Sequence, residues 1–304
     1  MKKSPMMLTA AAAAALSLGL ASCANPSTVS APVEVPESAA LSMDQELHDA
    51  LPAKIKETGI IVAVNSGSFP PYTVIDKNNE VDGATEAVGE AIGEILGVTI
   101  EHTTVDNLAS VLGGMDAGRF DLDLGPLGDY PERHAQATFI DWVQEYVSFA
   151  VQKGNPTGID GIETTCGTKI AVQAGGSAER IVNEQSDTCV ADGEEPVEVQ
   201  AYKDQPSSIL AVQSSRADAF FSSQAPLTYF VEQSDGALEL AGTGKSNGFD
   251  DIVQGAAVPA GSPLADVMLG AFEILFDSGR YEEILTAYGL EGNMIDAPGL
   301  NMGK

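Results

Sequence analysis

Two short motifs carry groups that could bind an anionic part of a small molecule. In the segment 130–133 (YPER), the planar Arg133 guanidinium can pair with a carboxylate through two parallel hydrogen bonds. Pro131 suits the first turn of a helix, whose N-terminus also favours anions. In 175–177 (GGS), the glycines let a ligand approach backbone N–H groups, and Ser177 is a natural N-cap. A surface arginine and simple helix capping are the alternative interpretations.

Other motifs indicate no catalysis. The segment 241–246 (AGTGKS) resembles a phosphate-binding loop only superficially, because Glu239 stands where the first glycine is required. The three histidines, His48, His102 and His134, are far apart in sequence and lack metal-ligand spacing. We therefore predict no catalytic residue, no metal site and no cofactor.

The composition describes an acidic globular chain. Its 304 residues include 44 Asp+Glu against 15 Lys+Arg, which gives a net charge of −29, and 44% of the residues are hydrophobic. The length suggests one large or two medium domains. Because nucleic acids and anionic membranes bind through Lys and Arg, the charge argues against both as the main partner.

The N-terminus predicts export. Residues 1–22 have the anatomy of a secretory signal peptide, with Lys2 and Lys3 before an apolar stretch that is too short to span a membrane comfortably. The letters LASC at 20–23 resemble the bacterial lipobox, which implies a lipid on Cys23; a signal peptide with a stray cysteine is the alternative. Residues 23–54 are predicted to be the lipidated cysteine and a flexible linker.

Two other cysteines, Cys166 and Cys189, remain in the exported chain. Outside the cytosol an even pair of cysteines indicates a disulfide. A metal site is the weaker alternative, because it would need further Cys or His residues nearby.

Short apolar strands alternate with amphipathic helices from residue 59. Strands are predicted at 60–64, 98–105, 122–124, 146–152, 169–173, 197–202, 217–222 and 252–259. Helices are predicted at 84–96, 107–116, 177–185, 206–214 and 263–288, the last broken near Gly279. This alternation predicts parallel α/β sheets with helices on both faces.

Five segments, in order and spacing, resemble a known family: GIIVAVNSGSFPPY (59–72), VDGATEAVGEAIGEILGV (81–98), GRFDLDLGPLGDYPERHAQATFIDW (118–142), KIAVQAGGSAE (169–179) and SRADAFFSSQAP (215–226). They are similar to bacterial extracellular solute-binding proteins of the family 3 type, which deliver polar amino acids and related solutes to ABC importers. The resemblance covers roughly residues 55 to 290.

The resemblance implies a two-lobed α/β fold of the periplasmic-binding-protein-like type II, with two hinge crossovers and a ligand cleft between the lobes. Lobe 1 would comprise 55–150 plus 253–290, and lobe 2 would comprise 153–250. The crossovers would fall near 149–153 and 253–256. Residues 291–304 are left as a C-terminal tail.

The resemblance also implies a ligand site. Arg133 matches the family arginine that clamps a ligand carboxylate, and Phe69 matches an aromatic residue that packs over the ligand. Leu108 falls where relatives often have a second aromatic residue. Gly128 lacks the Ser or Thr side chain found in many relatives, so its contact would be through the main chain. The other implied ligand positions are Leu127, Gly176, Ser177, Ser223 and Gln224.

One departure concerns the ligand amine. The family usually places an Asp where this chain has Ser223 or Gln224, and two further acidic positions are lost in 83–88 (GATEAV). An ammonium group buried between closed lobes needs a counter-charge. Either a different carboxylate supplies that charge, or the ligand lacks the amine; the candidates are Glu86, Asp123 and Asp129.

The implied function is that of a monomeric, lipid-anchored binding protein outside the cytoplasm. It would capture a polar carboxylate-bearing solute, an amino acid or a derivative, and pass it to an ABC permease. It would touch the membrane through its lipid alone and would bind no nucleic acid. The alternatives are a dehydratase-like enzyme, for which Glu86, Asp129 or His134 would be the acid or base, and a sensor or adaptor domain without a transporter.

Overall fold

The structure, a computed structural model, describes residues 41–304 except 77, 79, 106, 250 and 251. The predicted signal peptide at 1–22, Cys23 with its predicted lipid, and the predicted linker as far as residue 40 lie outside the described residues. Within the described part of the chain, no helix has both the length and the apolarity to cross a membrane.

The described residues contain nine α-helices and thirteen strands. The helices are α1 (Gln45–Ala50), α2 (Ala53–Thr58), α3 (Ala84–Leu96), α4 (Leu108–Asp116), α5 (Ser177–Ala191), α6 (Gln205–Gln213), α7 (Gln224–Glu232), α8 (Leu264–Asp277) and α9 (Arg280–Ala287). The strands are β1 (Ile60–Asn65), β2 (Val74–Ile75), β3 (Val81–Asp82), β4 (Thr99–Thr104), β5 (Leu122–Gly128), β6 (Ala137–Glu145), β7 (Val147–Gln152), β8 (Lys169–Gln173), β9 (Glu198–Tyr202), β10 (Ala219–Ser223), β11 (Leu238–Ala241), β12 (Ile252–Pro259) and β13 (Gly299–Leu300).

Lobe 1 is built on a six-stranded sheet in the order β13-β6-β12-β5-β1-β4. Strand β1 is parallel to both β4 and β5, whereas β12 is antiparallel to β5 and β6, and β13 is antiparallel to β6. The sheet is therefore mixed, and the prediction of parallel sheets holds for only part of it. The antiparallel strand β12 follows β11 of lobe 2 in the chain, so the chain returns to lobe 1 through β12.

Apolar periodicity determines how lobe 1 packs. Helix α3 buries Val88, Ile92 and Ile95 against the sheet and ends at Gly97, whose φ of 65° is the left-handed conformation that glycine adopts at little cost. Trp142 and Phe272, from β6 and α8, stack within the same core. These contacts pack the helices against the strands of the lobe 1 sheet.

Lobe 2 is built on a five-stranded sheet in the order β11-β7-β10-β8-β9. Strand β8 is parallel to β9 and β10, and β7 is antiparallel to β10 and β11. The rings of Phe149 and Phe221 stack with their centroids 4.6 Å apart in its core. On the opposite face, Phe220 packs with residues of α6 and α7.

The chain crosses between the lobes twice, and both crossovers differ from the prediction. Strand β6 of lobe 1 ends at Glu145 and β7 of lobe 2 begins at Val147, so residues 147–150 belong to lobe 2 and not to lobe 1. The return crossover lies between β11 and β12, before Ile252. The prediction failed here because an uninterrupted apolar run does not reveal which sheet each strand joins.

Both ends of the described chain are more ordered than predicted. Asp44 caps α1, and Leu51 and Ile55 are buried in the lobe 1 core, so the predicted linker at 23–54 is too long at its C-terminal end. The predicted tail at 291–304 is also part of lobe 1. Its strand β13 pairs with β6, and the Asn301 side chain accepts a hydrogen bond from the Phe139 N–H.

All eight predicted strands are present, with bounds shifted by a few residues. The predicted helices are present as well, and the long C-terminal one divides into α8 and α9 at Gly279 as expected. Strands β6, β11 and β13, the short strands β2 and β3, and helices α1, α2 and α7 were not predicted.

The predicted disulfide is confirmed. Cys166 and Cys189, 23 residues apart in sequence, are bonded and connect the start of lobe 2 to helix α5. Cys189 is buried in the same core as Val182 and Val197. The bond therefore closes a loop that contains β8 and most of α5.

We predict that the double variant Cys166→Ala/Cys189→Ala is less stable by about 3 kcal/mol, because the unfolded chain regains the freedom of the closed loop. Urea denaturation at neutral pH measures the change. Reduction of the wild-type protein should produce the same loss, and reduction of the double variant should produce none. An unchanged denaturation midpoint in both experiments would contradict the prediction.

Candidate functional site

A cavity of about 120 Å³ lies between the two lobes. Lobe 1 contributes Asn65, Ser66, Gly67, Ser68, Phe69, Thr73, Leu108, Asp123, Gly125, Pro126, Leu127, Gly128, Tyr130, Arg133 and Gln254. Lobe 2 contributes Gln173, Gly176, Ser177, Ala178, Gln205, Ser222 and Ser223, and the residues beside the crossovers add Val147, Phe249 and Ile252.

The cavity lies where several strands end. Asn65, Gly128, Gln173 and Ser223 are the last residues of β1, β5, β8 and β10. Carboxyl ends of strands in open α/β sheets are the usual place for small-molecule sites, since the loops and helix N-termini there present free backbone groups. Two such edges face each other here, one from each lobe.

Most of the residues predicted to bind ligand are brought together in this cavity. Phe69, Leu108, Leu127, Gly128, Arg133, Gly176, Ser177 and Ser223 all line it, as does Asp123 from the candidate amine partners. Gln224, Glu86 and Asp129 do not line it.

Arg133 lines the cavity from a short turn in lobe 1. The predicted helix at Pro131 is only the three-residue 3₁₀ turn Pro131–Arg133, so it supplies little helix dipole. The Arg133 Nη1 donates to the Gly128 carbonyl oxygen at 2.7 Å, and the guanidinium carbon lies 5.0 Å from the centre of the Tyr130 ring. Among the described residues, Arg133 forms no ion pair.

Burial lowers the pKa of Arg133, and the nearby Tyr130, Glu132, Asp123 and Asp129 partly oppose that effect. An arginine remains charged at any physiological pH. The half-buried guanidinium is therefore a partly dehydrated cation. Its N–H groups other than the one bonded to Gly128 can donate hydrogen bonds to an anion.

Asp123 is the carboxylate among the described cavity residues. Its side chain is 5% exposed, and Oδ1 accepts a hydrogen bond from the Gly125 N–H at 2.9 Å. Burial raises the pKa of Asp123 to about 7, although the Gly125 bond, His102 and Arg133 oppose the rise. A ligand cation placed beside this carboxylate would stabilise its ionised form.

The two other candidate amine partners face other parts of lobe 1. Glu86 lies on α3 with Oε2 3.1 Å from His102 Nε2, in a surface depression between α3 and β4. Asp129 is buried, and its two oxygens bond to the His134 ring and to the Gly303 N–H. The structure thus places neither Glu86 nor Asp129 at the cavity.

Ser223 and Gln224, which stand where the family usually has an Asp, lie in different surroundings. Ser223 lines the cavity, and its hydroxyl oxygen accepts a hydrogen bond from Gln254 Nε2 at 3.3 Å. Gln224 begins α7, and its N–H donates to the Tyr146 carbonyl at the first crossover. Gln224 is half-buried and does not line the cavity, although it was predicted to contact ligand.

The segment 175–177 (GGS) leads into helix α5, but the predicted N-cap residue differs from the observed one. Gly176, not Ser177, occupies the N-cap position, and Ser177 is the first residue of the helix. Ser177 lines the cavity from the first turn of α5. Gly175, with a φ of 75°, makes the turn between β8 and this helix.

The sequence interpretation missed most of the neutral polar residues of the cavity. Gln205, which is almost completely buried, donates through Nε2 to Gln173 Oε1 and shares hydrogen bonds with Ser222. Two buried polar atoms at the cavity, Asn65 Nδ2 and Gln254 Oε1, have no hydrogen-bond partner among the described residues. Asn65 and Gln173 could have been predicted as cavity residues from their positions at the carboxyl ends of predicted strands. Nothing in the sequence marks Gln205 or Gln254 as cavity residues.

An α/β fold of two lobes with a polar cavity between them defines a type II periplasmic binding protein, and the solved structures that superpose on this chain have the same architecture. The sequence pattern of the bacterial extracellular solute-binding proteins, family 3, matches residues 60–291. The chain belongs to this family, and the resemblance inferred from its motifs is confirmed.

Individual relatives are moderately similar. The arginine-binding protein ArgT of Corynebacterium glutamicum is 27% identical over 257 residues, which cover 84% of this chain and 83% of that protein. An ancestral arginine-binding protein bound to arginine superposes with a TM-score of 0.67 at 24% identity, covering 76% of this chain and 98% of the other. EhuB in complex with hydroxyectoine gives 0.67 at 25% identity, covering 78% and 90%.

We predict that Asp123→Asn stabilises the ligand-free protein, and more so at higher pH. Asp123 is protonated in both folded and unfolded chains below about pH 4, but between there and about pH 7 only the unfolded chain loses the proton. Wild-type stability therefore falls over this window. The gain from Asn should be on the order of 1–3 kcal/mol larger at pH 8 than at pH 5.

Urea denaturation of the ligand-free protein at the two pH values measures this gain. The control is Asp187→Asn, which changes an exposed carboxylate on α5 and should alter stability equally at both pH values. The prediction fails if Asp123→Asn shows no more pH dependence than the control.

Proposed function

We propose that the protein binds a small polar solute bearing a carboxylate, an amino acid or a derivative, between its lobes and delivers it to an ABC permease. The observation that carries this proposal is the half-buried Arg133 guanidinium, which lines the cavity and pairs with no described carboxylate. A desolvated cation without a partner is costly, and a carboxylate satisfies it through two parallel bonds.

The proposed solute also carries a positive group. Among the described cavity residues, one carboxylate, Asp123, accompanies the guanidinium of Arg133. A zwitterion would neutralise both charges at once, and Phe69 offers an aromatic face beside them. This assigns Asp123 as the partner of the ligand cation, in place of the missing residue at Ser223.

The relatives support a zwitterion. The 27%-identical relative is named for arginine, and the solved EhuB complex holds hydroxyectoine. Both solutes combine a carboxylate with a delocalised cation. L-Arginine and compact cyclic zwitterions are therefore the first solutes to test.

Binding would close the lobes on the solute. Arg133, Asp123 and Phe69 belong to lobe 1, whereas Ser177 and Gln205 belong to lobe 2, so one solute can contact both walls. A ligand shifts a conformational equilibrium only through its greater affinity for one state. Contacts that need both walls favour the closed state, which is the state proposed to dock on the permease.

A thermal-shift screen of the chain from Ala24 onward tests the class of solute. A hundredfold excess over Kd stabilises the folded state by about 2.7 kcal/mol, which is readily detected. We predict hits among amino acids and other zwitterions, and none among amines that lack a carboxylate. Hits confined to such amines would contradict the proposal, and chemical conversion of a bound solute, seen by mass spectrometry, would favour an enzyme.

The Arg133→Ala variant then tests the clamp by calorimetric titration with the strongest hit. Its affinity should fall by about 30-fold or more, because the ligand carboxylate loses a desolvated charge partner. Arg216→Ala is the control, since this exposed arginine bonds to Ser214 on the surface of lobe 2 and should bind normally. Unchanged affinity in Arg133→Ala would contradict the proposal that Arg133 binds the ligand carboxylate.

The same proposal includes export and a lipid anchor. Residues 1–22 would be removed as a signal peptide, and Cys23 would carry the lipid that holds the protein at the outer face of the membrane. The acidic surface would then face outward and attract cationic solutes.

We predict that Cys23→Ser moves the protein from the membrane fraction to the soluble exported fraction and abolishes labelling with an alkyne fatty acid. Ser22→Ala changes the neighbouring residue without removing the thiol, so its membrane fraction and labelling should match the wild type. Lipid labelling that persists in Cys23→Ser would refute the anchor.

A further inference from the structure

The C-terminal tail, to which the sequence assigned no role, runs along lobe 1 to the loop that carries Arg133. Strand β13 pairs with β6, and residues 301–303 continue beyond it. The family pattern matches residues 60–291, so this segment lies outside the part of the chain that defines the family. We refer to residues 299–303 as the C-terminal strap.

The strap is hydrogen-bonded to β6. The Asn301 N–H donates to the Phe139 carbonyl oxygen at 3.1 Å, and the Phe139 N–H donates to Asn301 Oδ1 at 2.8 Å. The Met302 N–H then donates to Asp141 Oδ2 at 2.9 Å. Asp141 is completely buried, so this bond satisfies a carboxylate oxygen that has lost its water. Contacts with β6 therefore fix the strap as far as residue 302.

Beyond β6, the strap contacts Asp129, the residue that directly follows β5. The Gly303 N–H donates to Asp129 Oδ2 at 2.7 Å, and Asp129 is only 2% exposed. A Cβ atom built on Gly303 would lie 2.7 Å from Asp129 Cγ and closer still to the Asp129 carbonyl oxygen. Non-bonded carbon atoms prefer separations of about 3.5–4.0 Å, so this contact requires glycine at residue 303.

Asp129 in turn holds the loop on both sides of Arg133. Its Oδ1 is bonded to the ring of His134, the residue directly after Arg133. The carbonyl of Gly128, the residue directly before Asp129, accepts the hydrogen bond from Arg133 Nη1 at 2.7 Å. A buried carboxylate that loses a hydrogen-bond donor must move to find another or remain unsatisfied. Loss of the Gly303 bond should therefore loosen both attachments of Arg133.

We propose that the C-terminal strap fixes the Arg133 guanidinium in the cavity, with Gly303 and Asp129 as positioning residues that do not contact the solute. Neither residue lines the cavity. The benefit to carboxylate binding rests on the proposed function of Arg133, whereas the effect on the guanidinium itself needs no solute. A strap that only stabilised lobe 1 would change the melting temperature and leave the guanidinium equally ordered without it.

Nitrogen-15 NMR of the ligand-free protein tests the strap without a solute. The Arg133 Nε–Hε signal, identified by its absence from Arg133→Ala, gives an order parameter for the guanidinium. Gly303→Ala should lower this order parameter by about a third, which is the difference between a rigid and a flexible group. The reason is that the added Cβ forces the strap away from Asp129.

Two controls accompany this measurement. Gly292→Ala lies in the same C-terminal region, where its Cβ would contact nothing within 4 Å among the described residues, and its Arg133 signal should match the wild type. The exposed Arg216 in lobe 2 gives a reference signal in every spectrum. An Arg133 order parameter in Gly303→Ala equal to that of the wild type would overturn the inference.

Two substitutions of Asp129 separate the strap bond from a general loss of structure. Asp129→Asn keeps an oxygen that can accept from the Gly303 N–H, so its Arg133 signal should stay near the wild type. Asp129→Ala removes that acceptor and should behave like Gly303→Ala. Equal Arg133 order in the Asn and Ala variants would contradict the role given to this bond.

Calorimetric titration with L-arginine tests the consequence for binding. Gly303→Ala should weaken the affinity about 3- to 10-fold, as expected for one lost hydrogen bond. In the Arg133→Ala background, the same substitution should cause no further loss, because both changes act on one contact. Losses that multiply would show that the strap does not act through Arg133.

The two measurements separate this inference from the proposed function. If Arg133→Ala binds L-arginine normally while Gly303→Ala loosens the Arg133 guanidinium, the proposed carboxylate contact is wrong and the strap stands. If Arg133→Ala loses binding while Gly303→Ala changes neither the NMR signal nor the affinity, the carboxylate contact stands and the strap is wrong.

Discussion

The Arg133 guanidinium has given up part of its water in the space between two lobes, and it has no carboxylate partner among the described residues. A charge in this position is unfavourable without an anion beside it, which is why we propose that the cavity receives a carboxylate. The Gly128 carbonyl and the Tyr130 ring hold the cation in place without neutralising it. In our proposal, the free-energy cost of this unpaired charge in the ligand-free protein is relieved when an anion binds, and that relief adds to the affinity.

The packing of lobe 1 fixes the positions of Arg133 and of the residues around it. Strand β5 ends directly before the clamp, and it is central in a sheet whose helices bury large side chains such as Trp142 and Phe272. Asp123 on the same strand is buried with its pKa raised to about 7, which is a second local cost that a zwitterion would relieve. Lobe 2 supplies mainly neutral amides and hydroxyls from Gln173, Gln205 and Ser222. Lobe 1 thus carries the charged groups of the cavity, and lobe 2 contributes neutral groups that can form hydrogen bonds.

Sequence patterns predicted the elements whose burial is periodic. Helix α3 was readable from its apolar stripe and Gly97, and β1 from its uninterrupted apolar run. Strand β6 was missed because Asp141 and Glu145 interrupt its apolar pattern. These side chains are buried and receive hydrogen bonds from the distant Met302 N–H and Tyr72 hydroxyl. Such partners, far apart in sequence, cannot be inferred from local periodicity.

The candidate site, too, could be predicted from local motifs but not where it depends on residues far apart in sequence. Arg133, Phe69 and Ser177 were found because their motifs resemble those of a family, and the cavity contains all three. Glu86, Asp123 and Asp129 could not be ranked from the sequence, since the direction of each side chain depends on the packed sheet.

A crystal structure of the protein with the solute selected by the thermal-shift screen would test the central claim most directly. We expect the solute carboxylate to lie within hydrogen-bond distance of two Arg133 nitrogens, at about 2.7–2.9 Å, and its cation to lie beside Asp123. A solute bound between the lobes with its carboxylate away from Arg133, or with its cation away from Asp123, would contradict this mechanism of recognition.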